Sequence, residues 1–219
     1  MLLLFPTEGE RRSFESHGAL PSDLAVSELC GFGPVAAAAR TAELVGSRKP
    51  ARVLLVGVAG AYDTRAHPVG DALEFDEVAI EGIGVGEGRS LVSPRALGFP
   101  QWPGTTTPRR GPIFDRLPLS ARPVDSPKRL LLTACAASAD RRQAGWRKEL
   151  FPDAIAEDME GFAVATACAL AGVPLRIVRG ISNEVGDRAH ERWRIPAALE
   201  SAHRCVIDLL ESGAGWSSP

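Results

Sequence analysis

The sequence predicts an α/β fold of three layers (αβα), in which a central, mixed and twisted sheet is flanked by helices. Three observations favour this fold. Short apolar runs of strand length recur along the chain, glycines or polar residues follow each run at once, and Ala-rich segments of helical length lie between them. Because such strands are buried on both faces, helices are expected to cover the sheet on both sides.

Length and composition predict a single domain over residues 1–219 with a full-sized core. Hydrophobic residues make up 45% of the chain and charged residues 24%, which is typical of soluble globular proteins. The formal net charge of −2 gives no bulk attraction to nucleic acid or to an anionic membrane, so neither is expected as a partner. The apolar start, Met1–Phe5, is too short for a signal sequence or a membrane span.

The cysteines and histidines predict neither disulfides nor a metal site. The four cysteines are scattered without C-x-x-C spacing, as expected of reduced core thiols in a cytoplasmic protein. The four histidines form no cluster with metal-ligand spacing. No metal and no organic cofactor is therefore expected.

In the first half of the chain, strands are predicted at Leu2–Phe5, Arg52–Val56 and Leu73–Ile80, and a helix at Val35–Val45. The segments between them suit a ligand site. Glu8 and Glu10 are either site carboxylates or part of a solvated turn. Gly31 and Gly33 either offer backbone N–H groups at a helix N-terminus or make a tight turn. The small residues Val58, Ala59 and Gly60, within Gly57–Ala61, allow close approach to the backbone.

Residues 82–127 differ from the rest of the chain. They begin with a glycine-rich stretch, carry eight prolines from Pro94 to Pro127, and show no helical period. Long irregular segments of this kind are lids, binding loops or insertions. The segment is therefore predicted to be a lid over one end of the sheet, with a floppy surface insertion as the alternative.

In the second half, the predicted elements are strands at Leu130–Thr133 and Val173–Val178, helices at Arg141–Leu150 and Phe162–Ala171 and from Pro196 onward, and a tail from Gly213. Arg179, Ser182 and Asn183 follow a strand at its carboxyl end, where open α/β sheets bind ligands. Met159 and Glu160 precede a helix. Taken alone, Glu160 is either a ligand-binding carboxylate or a helix N-terminal one, and Asn183 either contacts a ligand or is a turn residue.

Four motifs resemble the purine nucleoside phosphorylase/nucleosidase superfamily, in the same order and over nearly the whole chain. Asp158–Gly161 is similar to its E-M-E segment, and Arg179–Asn183 to its R-x-I-S-[DN] segment. Gly31–Ala36 is similar to its G-x-G-x-x-A turn, and Val69–Asp71 to its V-G-D. The resemblance implies a phosphorylase/hydrolase-like fold, a purine nucleoside as partner, and a homo-oligomer.

Further residues resemble the branch of this superfamily that hydrolyses futalosine. They are Pro6–Glu10, Gly57–Tyr62, Gly84–Gly88, and Ile181–Arg188 followed by Trp193–Leu199. This resemblance implies cleavage of the N-glycosidic bond of futalosine, which releases hypoxanthine and dehypoxanthine futalosine in menaquinone biosynthesis.

The resemblance also implies roles for individual residues. Glu10 would orient and deprotonate water with Arg179 near it, Glu160 would accept hydrogen bonds from the ribose hydroxyls, and Met159 would pack against the sugar or base. Asn183 combines an NH₂ donor with a carbonyl acceptor, which suits a 6-oxopurine better than adenine. The remaining predicted binding residues are Gly33, Val58, Ala59, Gly60 and Ser182.

Alternatives remain at this stage. Glu10 would repel a phosphate dianion and Val58 lacks a hydroxyl for it, so hydrolysis is favoured over phosphorolysis. Inosine, methylthioadenosine or aminofutalosine would be alternative substrates. The segment 134–140 lacks the glycine and the base-stacking residue that the superfamily usually carries there, which keeps a catalytically silent nucleoside-binding protein as a further alternative.

Overall fold

The computed structural model describes residues 1–18, 20, 26–106, 109–119 and 128–212, with the backbone alone at 109. The tail predicted from Gly213, and the parts of the predicted lid at 107–108 and 120–127, lie outside the described residues. The strands are β1 (Leu2–Phe5), β2 (Val26–Leu29), β3 (Val53–Ala61), β4 (Ala72–Phe75), β5 (Glu77–Glu81), β6 (Thr105–Thr106), β7 (Arg109–Arg110), β8 (Arg116–Pro118), β9 (Leu130–Ala134), β10 (Ala154–Asp158) and β11 (Leu175–Glu184). The helices are α1 (Glu8–Glu15), α2 (Pro34–Arg48), α3 (Pro94–Leu97), α4 (Arg141–Leu150), α5 (Gly161–Ala171) and α6 (Ile195–Glu211).

Within the described part of the chain, nine strands form one mixed sheet around β3, and β6 with β7 forms a separate hairpin. On one side of β3, its first residues pair in parallel with β1 and its last two pair antiparallel with β10. On its other side, β11 runs parallel along its whole length. Beyond β10 the sheet continues through β9 and β5 to β8, while β2 extends it past β1 and β4 pairs with β11. The predicted mixed sheet is confirmed.

Helices cover both faces of the sheet. On one face α2 and α5 pack against each other, and residues such as Leu44 and Val164 join the core above β1, β3 and β5. On the other face α1 and α6 pack together, where Phe14 and Val206 meet Leu54 of β3. The predicted three-layer arrangement is therefore confirmed, with apolar side chains buried on both sides of the central strands.

The small residues of α5 explain how it fits into this core. Five of its eleven residues are alanine, and Val164 is fully buried, so the helix lies close to both α2 and the sheet. It ends at Gly172, whose φ of 69° lies in the left-handed region that glycine adopts without steric cost. The predicted helix Phe162–Ala171 and its glycine stop are both confirmed.

Several strand boundaries differ from the sequence predictions. β3 continues through Ala61, so Gly57–Ala61 belong to the strand itself and are not an exit after it. β11 continues through Glu184, so Arg179 and Asn183 also lie on a strand. Leu73–Ile80 is divided into β4 and β5, and β10 was not predicted at all. In β3 and β11, glycines or polar groups inside a strand were interpreted as its end, whereas at Asp76 an actual break between two strands was not recognised.

The segment that begins at Gly82 contains short elements where none was predicted. These are a 3₁₀ turn at Gly88–Ser90, the helix α3, the hairpin of β6 and β7, and β8, which joins the edge of the main sheet at β5. A lid function for this segment stays a prediction. Among the described residues, no helix is long and apolar enough to cross a membrane.

Candidate active site

A cavity of about 390 Å³ lies where β3, β10 and β11 meet the N-terminal ends of α1 and α5. Eight of the ten predicted site residues line it: Glu10, Val58, Ala59, Gly60, Met159, Glu160, Ser182 and Asn183. The other two, Gly33 and Arg179, do not line it, but both donate hydrogen bonds to Glu160. The structure thus brings the predicted residues together from segments that are far apart in the chain.

Glu10 is placed by the start of α1. Thr7 is the N-cap of this helix and accepts a hydrogen bond from Glu10 N at 3.2 Å, while its hydroxyl donates to Glu10 Oε2 at 2.7 Å. Thr-x-x-Glu is the pattern of a capping box, in which the glutamate bonds back to the N-cap backbone. Here Glu10 Oε1 instead accepts from Val58 N of β3, at 3.0 Å. The carboxylate is therefore held between α1 and β3 at the cavity wall.

Arg179 is fully buried and binds two carboxylates below the cavity. Its Nε and Nη2 donate to Asp158 Oδ2 at 3.1 and 2.6 Å, and Nη2 also donates to Glu160 Oε2 at 3.3 Å. Burial alone would lower the pKa of the guanidinium, but Asp158, Glu160 and Glu10 outweigh it and the pKa is raised. Arg179 is thus a fixed cation that neutralises part of the buried negative charge.

Gly57 makes room for this arginine. A Cβ at position 57 would clash with Arg179 Nη1 and lie 2.8 Å from Glu10 Oε1. Among the described residues, no hydrogen-bond partner reaches Nη1. Arg179 and Glu10 therefore approach each other at a point where only a glycine fits.

Glu160 is the most strongly perturbed acid of the cavity. Oε1 accepts from Gly33 N at 3.0 Å and Oε2 from Arg179, yet only 4% of the residue is exposed. Burial raises the pKa of its carboxyl to about 7, against the opposing effect of Arg179 and with a further increase from Asp158. Glu160 can therefore exchange a proton near neutral pH.

Asp158 fixes the geometry around Glu160, although no role was predicted for it. Besides Arg179, it accepts from Gly161 N at 2.8 Å and from the hydroxyl of Thr133 at 2.7 Å. Thr133 Oγ1 in turn accepts from Phe162 N. Asp158 and Thr133 thus accept hydrogen bonds from backbone N–H groups at the start of α5. The Glu160 carboxylate is therefore not needed to cap this helix and can face the cavity.

Asn183 lies on β11 at the cavity wall, next to Ser182. The Ser182 hydroxyl donates to Asn183 Oδ1 at 2.8 Å, and Asn183 Nδ2 donates to Glu184 O at 2.8 Å. An amide NH₂ group has two hydrogens and a carbonyl oxygen has two lone pairs. One donor and one acceptor position of Asn183 therefore remain for a ligand.

Two aromatic residues at the cavity had no predicted role. Phe32, from the turn before α2, is 66% exposed and lines the cavity together with Trp193. Trp193 is held by its Nε1, which donates to Asp187 O at 3.1 Å, and lies under the guanidinium of Arg188. In the sequence, the signal for each residue was its position within a motif, Gly31–Ala36 for Phe32 and Trp193–Leu199 for Trp193.

A larger cavity of about 640 Å³, between residues 82–91 and α4, contains none of the predicted site residues. Both of its arginines are paired with carboxylates: Arg89 with Glu149, and Arg147 with Glu81. No group of metal-ligating side chains occurs among the residues that the structure describes. The smaller cavity is therefore the candidate active site.

A sequence profile of the Phosphorylase superfamily matches residues 8–211. The chain belongs to this superfamily. The resemblance drawn from the motifs is thereby confirmed. Futalosine hydrolase of Streptomyces coelicolor is 32% identical over 191 residues, which cover 85% of this chain and 78% of that protein. Futalosine hydrolase of Thermus thermophilus is 31% identical over 237 residues, which cover 100% and 98%.

Two solved structures share the fold. A 5′-methylthioadenosine/S-adenosylhomocysteine nucleosidase of Colwellia psychrerythraea, in complex with adenine, superposes with a TM-score of 0.73 at 20% identity and covers 99% of this chain and 97% of that one. The futalosine hydrolase of Helicobacter pylori gives a TM-score of 0.73 at 15% identity, with 96% and 97% covered.

Proposed function

We propose that the chain is a futalosine hydrolase, an enzyme that cleaves the N-glycosidic bond of futalosine and releases hypoxanthine in menaquinone biosynthesis. The observation that carries this proposal is Asn183 at the cavity wall, beside Glu160 and Glu10. Two superfamily relatives of this specificity, each more than 30% identical to the chain, support it. No metal or organic cofactor is required by the chemistry.

In the proposed reaction the C1′–N9 bond breaks and its electron pair leaves with the purine. The Asn183 amide donates a hydrogen bond to the base, where negative charge develops. A water oxygen bonds to C1′, and Glu10 takes the proton that this water loses. The departing base anion takes up a proton from solvent at a ring nitrogen to become hypoxanthine, and Glu10 returns its proton to solvent. The transition state has oxocarbenium character, so carboxylates near the sugar stabilise it. Glu160 would accept from the ribose hydroxyls as this positive charge develops.

Water is proposed as the nucleophile because the local groups disfavour phosphate. Val58 N already donates to Glu10 Oε1, so this backbone donor is not available to an oxyanion. The Glu10 carboxylate at the same place would repel a phosphate dianion. A phosphorylase needs hydrogen-bond donors to phosphate beside Val58, whereas here the Glu10 carboxylate, a hydrogen-bond acceptor, occupies that position.

The test is hypoxanthine release, measured by chromatography, from futalosine and from inosine, each with and without phosphate. Release from futalosine that does not depend on phosphate is the expected result. Phosphate-dependent release from inosine would identify a phosphorylase instead. No release from either nucleoside would favour a silent nucleoside-binding protein.

The second candidate is a 5′-methylthioadenosine/S-adenosylhomocysteine nucleosidase. It is favoured by a relative of that name from Psychromonas ingrahamii, which is 26% identical over 204 residues. Asn183 argues against it, because an amide cannot donate a titratable proton to N7 of adenine as a protonated aspartate can. Adenine release from methylthioadenosine at a higher kcat/KM than hypoxanthine release from futalosine would establish this candidate.

We also propose a cytoplasmic homo-oligomer. Phe32, Val35 and Phe99 are 66%, 83% and 74% exposed, which leaves apolar surface for a second copy. Sedimentation should give at least twice the chain mass of 23.2 kDa; a monomer at micromolar concentration would contradict the proposed oligomer.

The cysteines support the cytoplasmic location. Cys30 and Cys168 are free, and burial raises the pKa of each thiol to about 12, as suits thiols that stay reduced.

A further inference from the structure

We propose that Glu157, a residue with no predicted role, distinguishes 6-oxopurines from adenine by accepting a hydrogen bond from N1–H of the base. This proposal rests on the proposed function, because it assumes that the cavity binds a purine. In hypoxanthine N1 carries a hydrogen, whereas in adenine N1 has a lone pair. A carboxylate beside N1 therefore attracts the first base and repels the second.

The register of the sheet places Glu157 opposite Asn183. Gly60 of β3 pairs with Asn183 of β11 on one side and with Glu157 of β10 on the other. Neighbouring strands lie about 4.8 Å apart, so the two flanking backbones are separated by roughly 10 Å. All three residues line the cavity. The space over Gly60 is occupied by Val185: a Cβ at position 60 would lie 3.2 Å from Val185 Cγ2 and 3.4 Å from Asn183 Nδ2. Val185 also lines the cavity, so a flat base would lie against this side chain, with the amide and the carboxylate at its edges.

Glu157 is held as an acceptor by four donors. Oε2 accepts from the hydroxyls of Ser138 and Tyr62 at 2.7 and 2.9 Å and from Arg147 Nη1 at 3.2 Å, and Oε1 accepts from Ser138 N at 2.7 Å. Burial and the nearby Glu157 carboxylate raise the pKa of Tyr62, so its phenol remains a donor at physiological pH. The carboxylate is thus fixed in position, and its carbon chain cannot turn away from the cavity.

One acceptor position of this carboxylate is still available. Among the described residues, Ser138 N is the one donor that reaches Oε1, and a carboxylate oxygen accepts two hydrogen bonds. Glu157 is only 6% exposed, so a ligand that offers no donor there would leave this position unpaired in a dry site. Sites that hydrogen-bond one substrate reject an analogue without the matching group by large factors.

The segment 134–140 gains a function from this arrangement. It lacks the glycine and aromatic residue of its relatives' pattern, but Ala137 and Ser138 line the cavity and Ser138 is bound to Glu157 through both its N–H and its hydroxyl. Arg147 of α4 also donates to Ser138 Oγ at 2.8 Å. The segment is therefore fixed by a polar cluster that at the same time positions Glu157.

The experiment measures binding of free hypoxanthine and adenine by calorimetry to the wild-type chain, to Glu157→Gln and to Glu81→Gln. Glu81 also pairs with Arg147, at 3.0 Å, but it does not line this cavity, so its variant is the matched control. The wild type should prefer hypoxanthine by about 100-fold or more. Glu157→Gln should reduce that preference at least tenfold, while Glu81→Gln keeps it. Any of three results overturns the proposal. The preference for hypoxanthine is unchanged in Glu157→Gln, or both variants lose that preference equally, or the wild type binds the two bases equally or binds neither.

A second ligand keeps the test valid if Glu157→Gln does not fold. The wild-type chain is titrated with 1-methylhypoxanthine, which has no hydrogen on N1. Binding at least about 30-fold weaker than that of hypoxanthine supports the proposal, and equal binding overturns it. Binding of a free base does not require turnover, so these results are independent of futalosine cleavage. If the wild type cleaves no futalosine but Glu157→Gln loses the preference for hypoxanthine, the proposed function is refuted and this inference is retained.

Discussion

The side chain of Glu10 illustrates how one residue can serve both a helix and a site. Its position three residues after Thr7 is that of a capping-box glutamate, but Oε1 accepts from Val58 N of β3 and Oε2 from the Thr7 hydroxyl. These bonds hold the carboxylate at the cavity without the rotamer freedom of an exposed glutamate. A positioned base typically contributes 10²- to 10⁴-fold to a rate.

Replacing Glu10 by Gln should therefore lower futalosine turnover by at least ~10²-fold, because an amide keeps the shape but cannot take a proton from water. Hypoxanthine binding should be nearly unchanged. Glu8→Gln is the matched control, since Glu8 is in the same helical turn and pairs with Arg11 and Arg12 at the surface; it should retain turnover. Near-normal turnover in Glu10→Gln would exclude this residue as the base.

Asn183→Asp should shift the preference of the enzyme toward 6-amino purines. A protonated aspartate can donate to N7 and its other oxygen can accept from the 6-amino group. The ratio of kcat/KM for aminofutalosine to that for futalosine is expected to rise at least ~10-fold. Thermal unfolding of the variant serves as the control for folding. An unchanged ratio would mean that Asn183 does not contact the base.

Glu160 should make stability depend on pH. Its folded pKa of about 7 lies above the ordinary value of 4.5, so the folded state retains a proton that the unfolded chain releases between these values. The stability that this carboxyl contributes is fully present below pH 4.5 and is lost as pH rises to about 7. Relative to Glu160→Gln, which does not titrate, the wild type should lose a few kcal/mol over this range.

Urea unfolding of both proteins at several pH values between 4 and 8 measures this difference directly. Groups that titrate in both proteins cancel, so the comparison isolates Glu160. A difference that stays flat, or that grows in favour of the wild type with rising pH, would contradict the raised pKa.

At the scale of single residues, the sequence predicted which side chains meet but not how they are held. Glu10, Glu160 and Asn183 were found because each belongs to a motif with a chemical reason for its residue type. Asp158 and Glu157 were missed, since acidic residues before a helix are equally well explained by the macrodipole. Nothing in the sequence indicated that Arg179 would be completely buried between carboxylates.

At the scale of elements, β3 is the scaffold of the site. It supplies the Val58 N–H to Glu10, the close approach of Val185 at Gly60, and the space at Gly57 for Arg179. Small residues and glycines are depleted in strands, which is why the sequence predicted that this strand would end at Val56. Pairing with β11 along its whole length stabilises a strand whose own propensity is low.

Gly57→Ala should consequently damage both stability and activity. The added methyl would overlap Arg179 Nη1 and crowd Glu10 Oε1, and because backbone and buried arginine cannot easily move apart, a loss of about 2 kcal/mol or more is expected. Gly145→Ala in α4 is the matched control, as a Cβ there meets nothing within 4 Å; it should be neutral or stabilise by about 0.5–1 kcal/mol. Chemical denaturation with parallel activity assays measures both, and a harmless Gly57→Ala would contradict the described packing.

The element boundaries show a general limit of reading strands from sequence. β11 carries Arg179, Ser182 and Asn183 in its second half, and polar residues normally indicate an end of a strand. In the structure these side chains are bound by other buried polar groups, so tertiary contacts outweigh local preference. The strand β10 was missed for the same reason, because Glu157 and Asp158 interrupt its apolar pattern.

At the scale of the whole molecule, the layer order and the mixed sheet could be predicted because they follow from alternating apolar runs and Ala-rich helices. The pairing of β3 with β10 could not, since it joins parts of the chain that are distant in sequence and no local pattern records such a contact. The same pairing places Glu157 next to Gly60. The sequence therefore predicted Asn183 at the base end of the proposed site, but not the position of Glu157 across Gly60 from it.

The chain order of β3 and β11 has a consequence for synthesis on the ribosome. β3 ends at Ala61 and β11 begins at Leu175, and the stretch between them takes roughly 6 to 23 seconds to translate at about 5–20 residues per second. During that interval β3 has emerged with its apolar sequence, but the edge that β11 will occupy is unpaired. An unpaired apolar edge recruits other strands, so the nascent chain is most prone to aggregate before the second half of the site exists, and it is then that a chaperone would be needed.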